Sequence, residues 1–413
     1  MDVVSLGLAK ADAARKYARV SEATHGVRIY NPKALAPFSG ALSDAFNTLV
    51  NVVCVGDSIT VGVGSDGSPN ATAGSGVDTT YRAKGYVGQL QRLFAATYGD
   101  TGQGGIVGND NGARVTLTAA SLSSTGPVEG GVSLSDATKN AAWSITDTCT
   151  SIDVYWWDGG RGQWTWSVDA GAATGTAAAG ANTGSTNLGF NKTTISGLTS
   201  ATHTLTITGT AAGSNVIAAV VPIKASTGVM VHRYGRSGNT TPNLIGTDSS
   251  QTGNTSLRVQ QGYLRCPSPD LVVVPLGTND FAGQNATALS GLKPGTIPVD
   301  YKANLQAFIS AAAARSVPVL LVGEPRQHSQ NYPAPMVYTE ADYYDRCREL
   351  ALSNANTAYI DIGGDLWGSN VLSQARGLLT SGSVHPTSRG HGSIARLLHR
   401  VLTTPFGENA LAT

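Results

Sequence analysis

Ser58 and His385 are the residues in this sequence best placed to work as a nucleophile and its base. Ser58 stands in Gly56-Asp57-Ser58-Ile59-Thr60, directly after the apolar run Val52-Val53-Cys54-Val55. A run that is apolar at every position reads as a strand buried on both faces. In open α/β sheets, ligands bind at the carboxyl ends of such strands. A serine hydroxyl is a weak nucleophile until a base takes its proton, so a histidine must come within hydrogen-bond reach. Of the seven histidines, His385 fits best, because Val384-His385-Pro386-Thr387-Ser388 forms a loop just ahead of the last helical stretch. Pro386 keeps the residue before it extended, which helps fix where the imidazole points.

Acyl transfer also needs donors aimed at the oxygen that becomes negative, and losing one such donor costs roughly 3 kcal/mol. Ser237-Gly238-Asn239-Thr240 follows the apolar segment Val229 to Val231, and Leu276-Gly277-Thr278-Asn279-Asp280 follows Leu271 to Pro275. Gly238 offers a backbone N–H that a ligand can approach closely, Asn279 offers a side-chain amide, and Ser58 offers its own N–H. Asp57 and Asp280 are expected first to hold their loops by hydrogen bonds and only secondarily to touch substrate. His328, after Glu324-Pro325-Arg326, is a weaker substrate-contact candidate, and His391 is expected to pack or cap on the final helix.

Each piece alone is common, but their order and placement together are not. The four blocks resemble the SGNH (GDSL-type) hydrolase family. The resemblance implies a three-layer α/β/α, flavodoxin-like domain with a parallel sheet, with Ser58 as nucleophile, His385 as base, and Ser58, Gly238 and Asn279 as the oxyanion hole. It covers somewhat over half of the chain. One position departs from the pattern: the family places an Asp three residues before the histidine, and here that residue is Gly382. Asp361 or Asp365, at the end of the preceding strand, is the expected substitute, with a Ser-His dyad as the alternative.

The elements that must position these groups follow from composition and pattern. At 413 residues, with 50 glycines and 13% charged residues, the chain favours short strands and turns and has room for more than one compact unit. A formal net charge of +1 without basic runs excludes a nucleic-acid partner. No stretch is long and apolar enough for membrane insertion. The scattered Cys54, Cys149, Cys266 and Cys347 show no metal-ligand spacing, so free thiols are expected, with no metal and no cofactor. Residues 1–45 are expected to form an N-terminal helix and arm, without a signal peptide's pattern. Residues 46–110 and 227–413 together make the hydrolase domain, since strand, helix and strand recur over Leu271–Pro275, Asn304–Ala314 and Val317–Val322. Further elements are expected as a helix over Glu340–Leu352, a strand over Ala358–Ile362 and a last helix over Ser388–Leu402.

Between these parts, residues 111–226 turn rich in Thr, Ser, Gly and Ala, with period-two segments such as Ser151 to Trp156 and Thr202 to Ile207, which predicts an inserted β-sandwich-like domain. Trp143, Trp156, Trp157, Trp164 and Trp166 lie in it. Core packing is the usual fate of tryptophan, while Trp156 and Trp164 are candidates for a sugar-stacking face. The resemblance leaves the substrate open. A polar insert without an apolar lid favours an acetylated carbohydrate of a bacterial surface. The opening Met1 to Lys10 resembles the start of phage tail-associated proteins, which would place the chain on a virion, in a homo-oligomer or tail assembly. Two other readings stay open: a glycan-binding protein on an inactive scaffold, and a lipid esterase or acyltransferase.

Overall fold

A computed structural model describes residues 27–404, apart from 68–76, 103, 108–113, 124–130, 135, 159–163, 172, 178–189, 211–214, 246–263, 265–266, 284–295 and 327–336. The predicted N-terminal helix lies outside the described residues. The described residues open with β1 (Ile29–Tyr30), α1 (Ala36–Ser43), β2 (Leu49–Gly56), the single turn α2 (Ser58–Val61), α3 (Val77–Lys84) and α4 (Tyr86–Tyr98). Then come β3 (Val115–Thr118), β4 (Ser121–Ser123), β5 (Gly131–Leu134), β6 (Asn140–Cys149), β7 (Ser151–Asp158), β8 (Trp164–Val168), β9 (Ala173–Thr176), β10 (Phe190–Ile195), β11 (Ala201–Gly209) and β12 (Asn215–Ile223). The last part holds β13 (Gly228–Gly235), α5 (Thr241–Ile245), β14 (Leu271–Pro275), α6 (Thr278–Gly283), α7 (Pro298–Ala313) and β15 (Val319–Gly323). It ends with α8 (Glu340–Ser353), β16 (Thr357–Asp361), α9 (Asn370–Ala375) and α10 (Ser388–Thr403).

The main sheet runs β1-β16-β15-β14-β2-β13. Its five longer strands are parallel. Counted along the chain, they take the flavodoxin-like order 2-1-3-4-5. The sheet is mixed rather than wholly parallel, because β1 pairs antiparallel with β16. A two-residue edge strand of this kind blunts the open edge of the sheet. The apolar run of β2 is explained by helices on both faces. Val53 and Val55 face Tyr301, Leu305 and Phe308 of α7 and Tyr343 and Leu350 of α8. Val52 and Cys54 face Phe38 of α1, Leu90 and Phe94 of α4, and Leu398 and Val401 of α10. Each fully buried Val or Leu contributes about 1.5–3 kcal/mol, so the sheet's central strands are its most stable part. The helices begin where their sequences cap them. Thr339 and Asp342 form a reciprocal capping box for α8, and the Thr387 hydroxyl accepts from Gly390 N–H at the start of α10.

Between β2 and β13 lie two antiparallel five-stranded sheets, β10-β7-β12-β5-β4 and β3-β6-β11-β8-β9. Their period-two strands send alternate residues into one shared core. Val132, Val154, Trp156 and Ile217 come from the first sheet, and Val115, Trp143, Trp164 and Leu205 from the second. Ile106, before the boundary expected at residue 111, joins this core through a bridge to Val220. The other face of the first sheet packs on the α/β unit, where Tyr155, Ala219 and Val221 join Val53, Met230 and Tyr234. That is why β12 is apolar at nearly every position, rather than alternating. Among the described residues, no helix is long and apolar enough to cross a membrane.

Candidate active site

Ser58 is the first residue of α2, at the carboxyl end of β2, and it lies beside the point where chain order reverses between β2 and β14. Asp57 caps this turn, its Oδ1 accepting from Ile59 N–H at 2.8 Å. As first helical residue, Ser58 presents an N–H that the helix itself cannot satisfy. Its Oγ lies 2.9 Å from His385 Nε2, across 327 positions of sequence. Gly64 makes this approach feasible. It sits at φ +88, and a Cβ there would lie 2.4 Å from Pro386 O and 2.9 Å from the His385 Cβ. The loop after Ser58 and the histidine loop therefore pack backbone against backbone.

The His385 loop is a tight turn closed by Thr380 N–H donating to His385 O at 3.0 Å. Within it, Ser383 Oγ lies 3.0 Å from His385 Nδ1 and accepts from His385 N–H at 3.2 Å. A hydroxyl oxygen has two lone pairs, enough to accept from the backbone N–H and from a protonated Nδ1. With the ring proton on Nδ1, the Nε2 lone pair faces the Ser58 hydroxyl.

The aspartates expected to orient His385 are engaged elsewhere. Asp361 pairs with Arg326 and accepts from Gly364 N–H at 2.8 Å. Asp365 accepts from Arg28 N–H at 3.1 Å. Asp361 ends β16 and Asp365 lies in the turn Ile362–Trp367 that follows, while the histidine loop takes its own partner from two residues upstream. Gly382, in the family's Asp position, adopts φ +67 and opens onto empty space. Ser383 carried no signal in the sequence, since a serine two residues before a histidine follows no general pattern.

Around Ser58, the Gly238 turn and Asn279 converge. Asn239 Nδ2 donates to Gly56 O at 3.3 Å, fastening the turn after β13 to the end of β2. Gly238 has φ +73, the left-handed conformation that glycine adopts without penalty. Asn279 Nδ2 donates to Asp57 Oδ2 at 2.9 Å and to Asn239 O at 3.0 Å. Two acceptors fix which end of the amide carries hydrogen. They also mean that Asn279 is not a free donor, so it must give up one of these bonds to bind anything further.

The weaker substrate-contact candidates go to structural roles. Asp57 and Asp280 are completely buried. Asp280 accepts from Thr241 N–H and Oγ–H and from the Thr296 hydroxyl, and burial raises its pKa to about 6 against these bonds. Trp156 and Trp164 are 1% and 0% exposed and meet edge to face in the core between the insert's sheets. Neither presents a ring to a sugar. His328 lies outside the described residues. His391 is buried in α10, accepting from Tyr86 N–H through Nδ1 and donating to Val63 O through Nε2.

Comparison with known proteins gives the same direction. The profile of the GDSL-like Lipase/Acylhydrolase family matches residues 176–392, just over half of the chain. The match contains Gly238, Asn279 and His385 but begins beyond Ser58. No curated protein matches. Among solved structures, a peptidoglycan O-acetylesterase superposes with a TM-score of 0.61 at 15% identity, over 91% of this chain and 97% of the other. A family two carbohydrate esterase from Cellvibrio japonicus matches with a TM-score of 0.28 at 10% identity, covering 70% and 95% of the two chains. One from Clostridium thermocellum, in complex with cellohexaose, gives 0.29 at 12%, covering 71% and 99%. With a flavodoxin-like sheet, a serine and a histidine joined at its carboxyl edge, and a family match over the greater part of the sequence, the chain belongs to the GDSL-like lipase/acylhydrolase family and is a carboxylic ester hydrolase.

Proposed function

We propose that the chain removes acetyl groups from an acetylated carbohydrate of a bacterial surface, with Ser58 as nucleophile and His385 as general base. The observation that carries this reading is the 2.9 Å contact between Ser58 Oγ and His385 Nε2. His385 takes the Ser58 proton as Oγ attacks the acetyl carbonyl, and the oxyanion receives the N–H groups of Ser58 and Gly238 and the Asn279 amide. The protonated imidazole then donates to the departing sugar oxygen, leaving an acetyl-enzyme. Water, deprotonated by the same histidine, releases acetate. Support for the substrate class comes from the polar insert and from overall similarity to a peptidoglycan O-acetylesterase, which extends over nearly all of both chains. The setting on a virion or at the cell surface belongs to the same proposal.

The test is acetate release from acetylated cell-wall or capsular polysaccharide, with hydrolysis of p-nitrophenyl acetate alongside. Ser58→Ala is expected to lower kcat by about 10⁴-fold or more. Equal rates for wild type and Ser58→Ala would end the esterase mechanism. Preference for long acyl chains would point instead to a lipid substrate.

A further inference from the structure

Behind Ser58 lies a pair of acids that the reaction above does not use. Asp57 follows β2 and Glu324 follows β15, and they are 0% and 1% exposed. Their carboxyl groups hydrogen-bond to each other. Asp57 also holds Ile59 N–H at 2.8 Å and Asn279 Nδ2 at 2.9 Å. Glu324 Oε2 accepts from Thr278 N–H at 2.9 Å, one residue before Asn279. Among the described residues, no N–H or O–H group donates to Glu324 Oε1, which is sealed from solvent. Two ionised carboxylates in contact in a dry site repel, so such a contact is attractive only when a proton lies between them.

We propose that Glu324 is a positioning residue that shares one proton with Asp57, and that this pair sets the nucleophile turn and Asn279 in register for the transition state. The proposal rests on the Ser58–His385 reading above. A singly charged pair grips the Asn279 amide loosely enough for one of its hydrogens to turn to the oxyanion. Loss of the shared proton would leave two facing charges, pushing Asp57 off Glu324 and drawing the amide away from substrate. Among the described residues, Asp280 from α6, Tyr86 from α4, and Tyr344 and Cys347 from α8 interact electrostatically with the pair. These four are acids, and the basic groups beside the pair bond elsewhere, Arg326 to Asp361 and His385 to Ser58. Burial first, and then the neighbouring carboxyl, pushes Asp57 far above the usual carboxylate range, and burial raises Glu324 to about 7.

The experiment is the pH profile of kcat and KM for p-nitrophenyl acetate, on the full chain, for wild type, Glu324→Gln, Glu324→Ala, Asp57→Asn and Ser58→Ala. Wild type is expected to lose kcat on the alkaline side with KM nearly constant. Glu324→Gln keeps the bridge but has no proton to lose, so its neutral kcat falls by about tenfold or less and the alkaline decline disappears. Asp57→Asn shows the same flattening, which keeps the test open if one variant folds poorly. Glu324→Ala removes the acceptor of Thr278 N–H and loses about 100-fold in kcat, the scale of a small misplacement of a catalytic group. An alkaline decline in Glu324→Gln and Asp57→Asn superimposable on wild type would overturn the proposal while an inactive Ser58→Ala left the esterase reading intact. Turnover by Ser58→Ala would instead remove the reading beneath it.

Discussion

At the scale of single residues, the site differs from a serine triad in the group behind its histidine. Ser383 offers His385 Nδ1 a dipole where the family offers a charge. A neutral hydroxyl holds the ring's direction, but it stabilises the imidazolium far less than a carboxylate does. Removing it costs ordinary hydrogen bonds, to Nδ1 and to the His385 N–H, and no charge. Ser383→Ala is expected to lower kcat about tenfold, well short of the roughly 10⁴ that follows neutralisation of a triad aspartate. Asp361→Asn, which weakens only the tie to Arg326, should leave kcat near wild type. Steady-state kinetics on the two variants distinguish them, and a larger loss for Asp361→Asn would return the acid's role to that residue. The missing aspartate was legible in the sequence at Gly382. Its replacement was not, because which hydroxyl meets Nδ1 depends on how the turn from Thr380 to His385 closes.

At the scale of elements, the proposed mechanism depends on two loops touching. α2 follows β2 and the histidine loop precedes α10, and Gly64 is where their backbones meet. Gly64→Ala places a Cβ against Pro386 O and also strains a residue at φ +88. It should cost about 1–3 kcal/mol of stability and about 100-fold in kcat, by moving Ser58 away from His385. Gly67 is a matched control, with φ +92 and nothing within 4 Å of an added Cβ. Gly67→Ala should lose comparable stability and keep its kcat. Denaturation and kinetics on both variants separate backbone strain from loop contact, and equal kcat losses would refute the assignment. Most elements were predictable, as the run Leu271 to Pro275 and the helix from Ser388 show. The two-residue β1 was not, since so short a strand exists only through its partner β16.

Over the whole molecule, buried ionisable groups tie distant segments together and make stability depend on pH. His391 joins α10 to the start of α4 and to Val63 of the nucleophile loop, and its two bonds suit a neutral ring. Burial lowers its pKa from 6.5 to about 4. The unfolded chain therefore binds this proton first as pH falls. The neutral ring's contribution is complete above pH 6.5, declines below it, and levels off near pH 4. His391→Gln is expected to be less stable than wild type at neutral pH, with the difference shrinking by about 1.4 kcal/mol per pH unit between those limits. Denaturant melts across that range provide the check, and a constant difference would show that His391 is not buried neutral.

The sequence by itself determined the layered α/β architecture, the all-β character of the insert, and the pairing of Ser58 with His385, because hydrophobic period and loop placement are local properties that the chain carries wherever it folds. It also left Asn279 as a donor, Trp156 and Trp164 as surface candidates, and Asp361 or Asp365 as the third group. Only the tertiary structure decided those. Whether an indole faces a core or a solvent, which carboxylates share a dry space, and which hydroxyl stands behind an imidazole all depend on contacts between residues far apart in the chain. Ser58 and His385 were readable because their blocks stand in a distinctive order, after a buried strand and before the last helix, and Glu324 and Ser383 were not, since the need for them arises only when the strand ends come together.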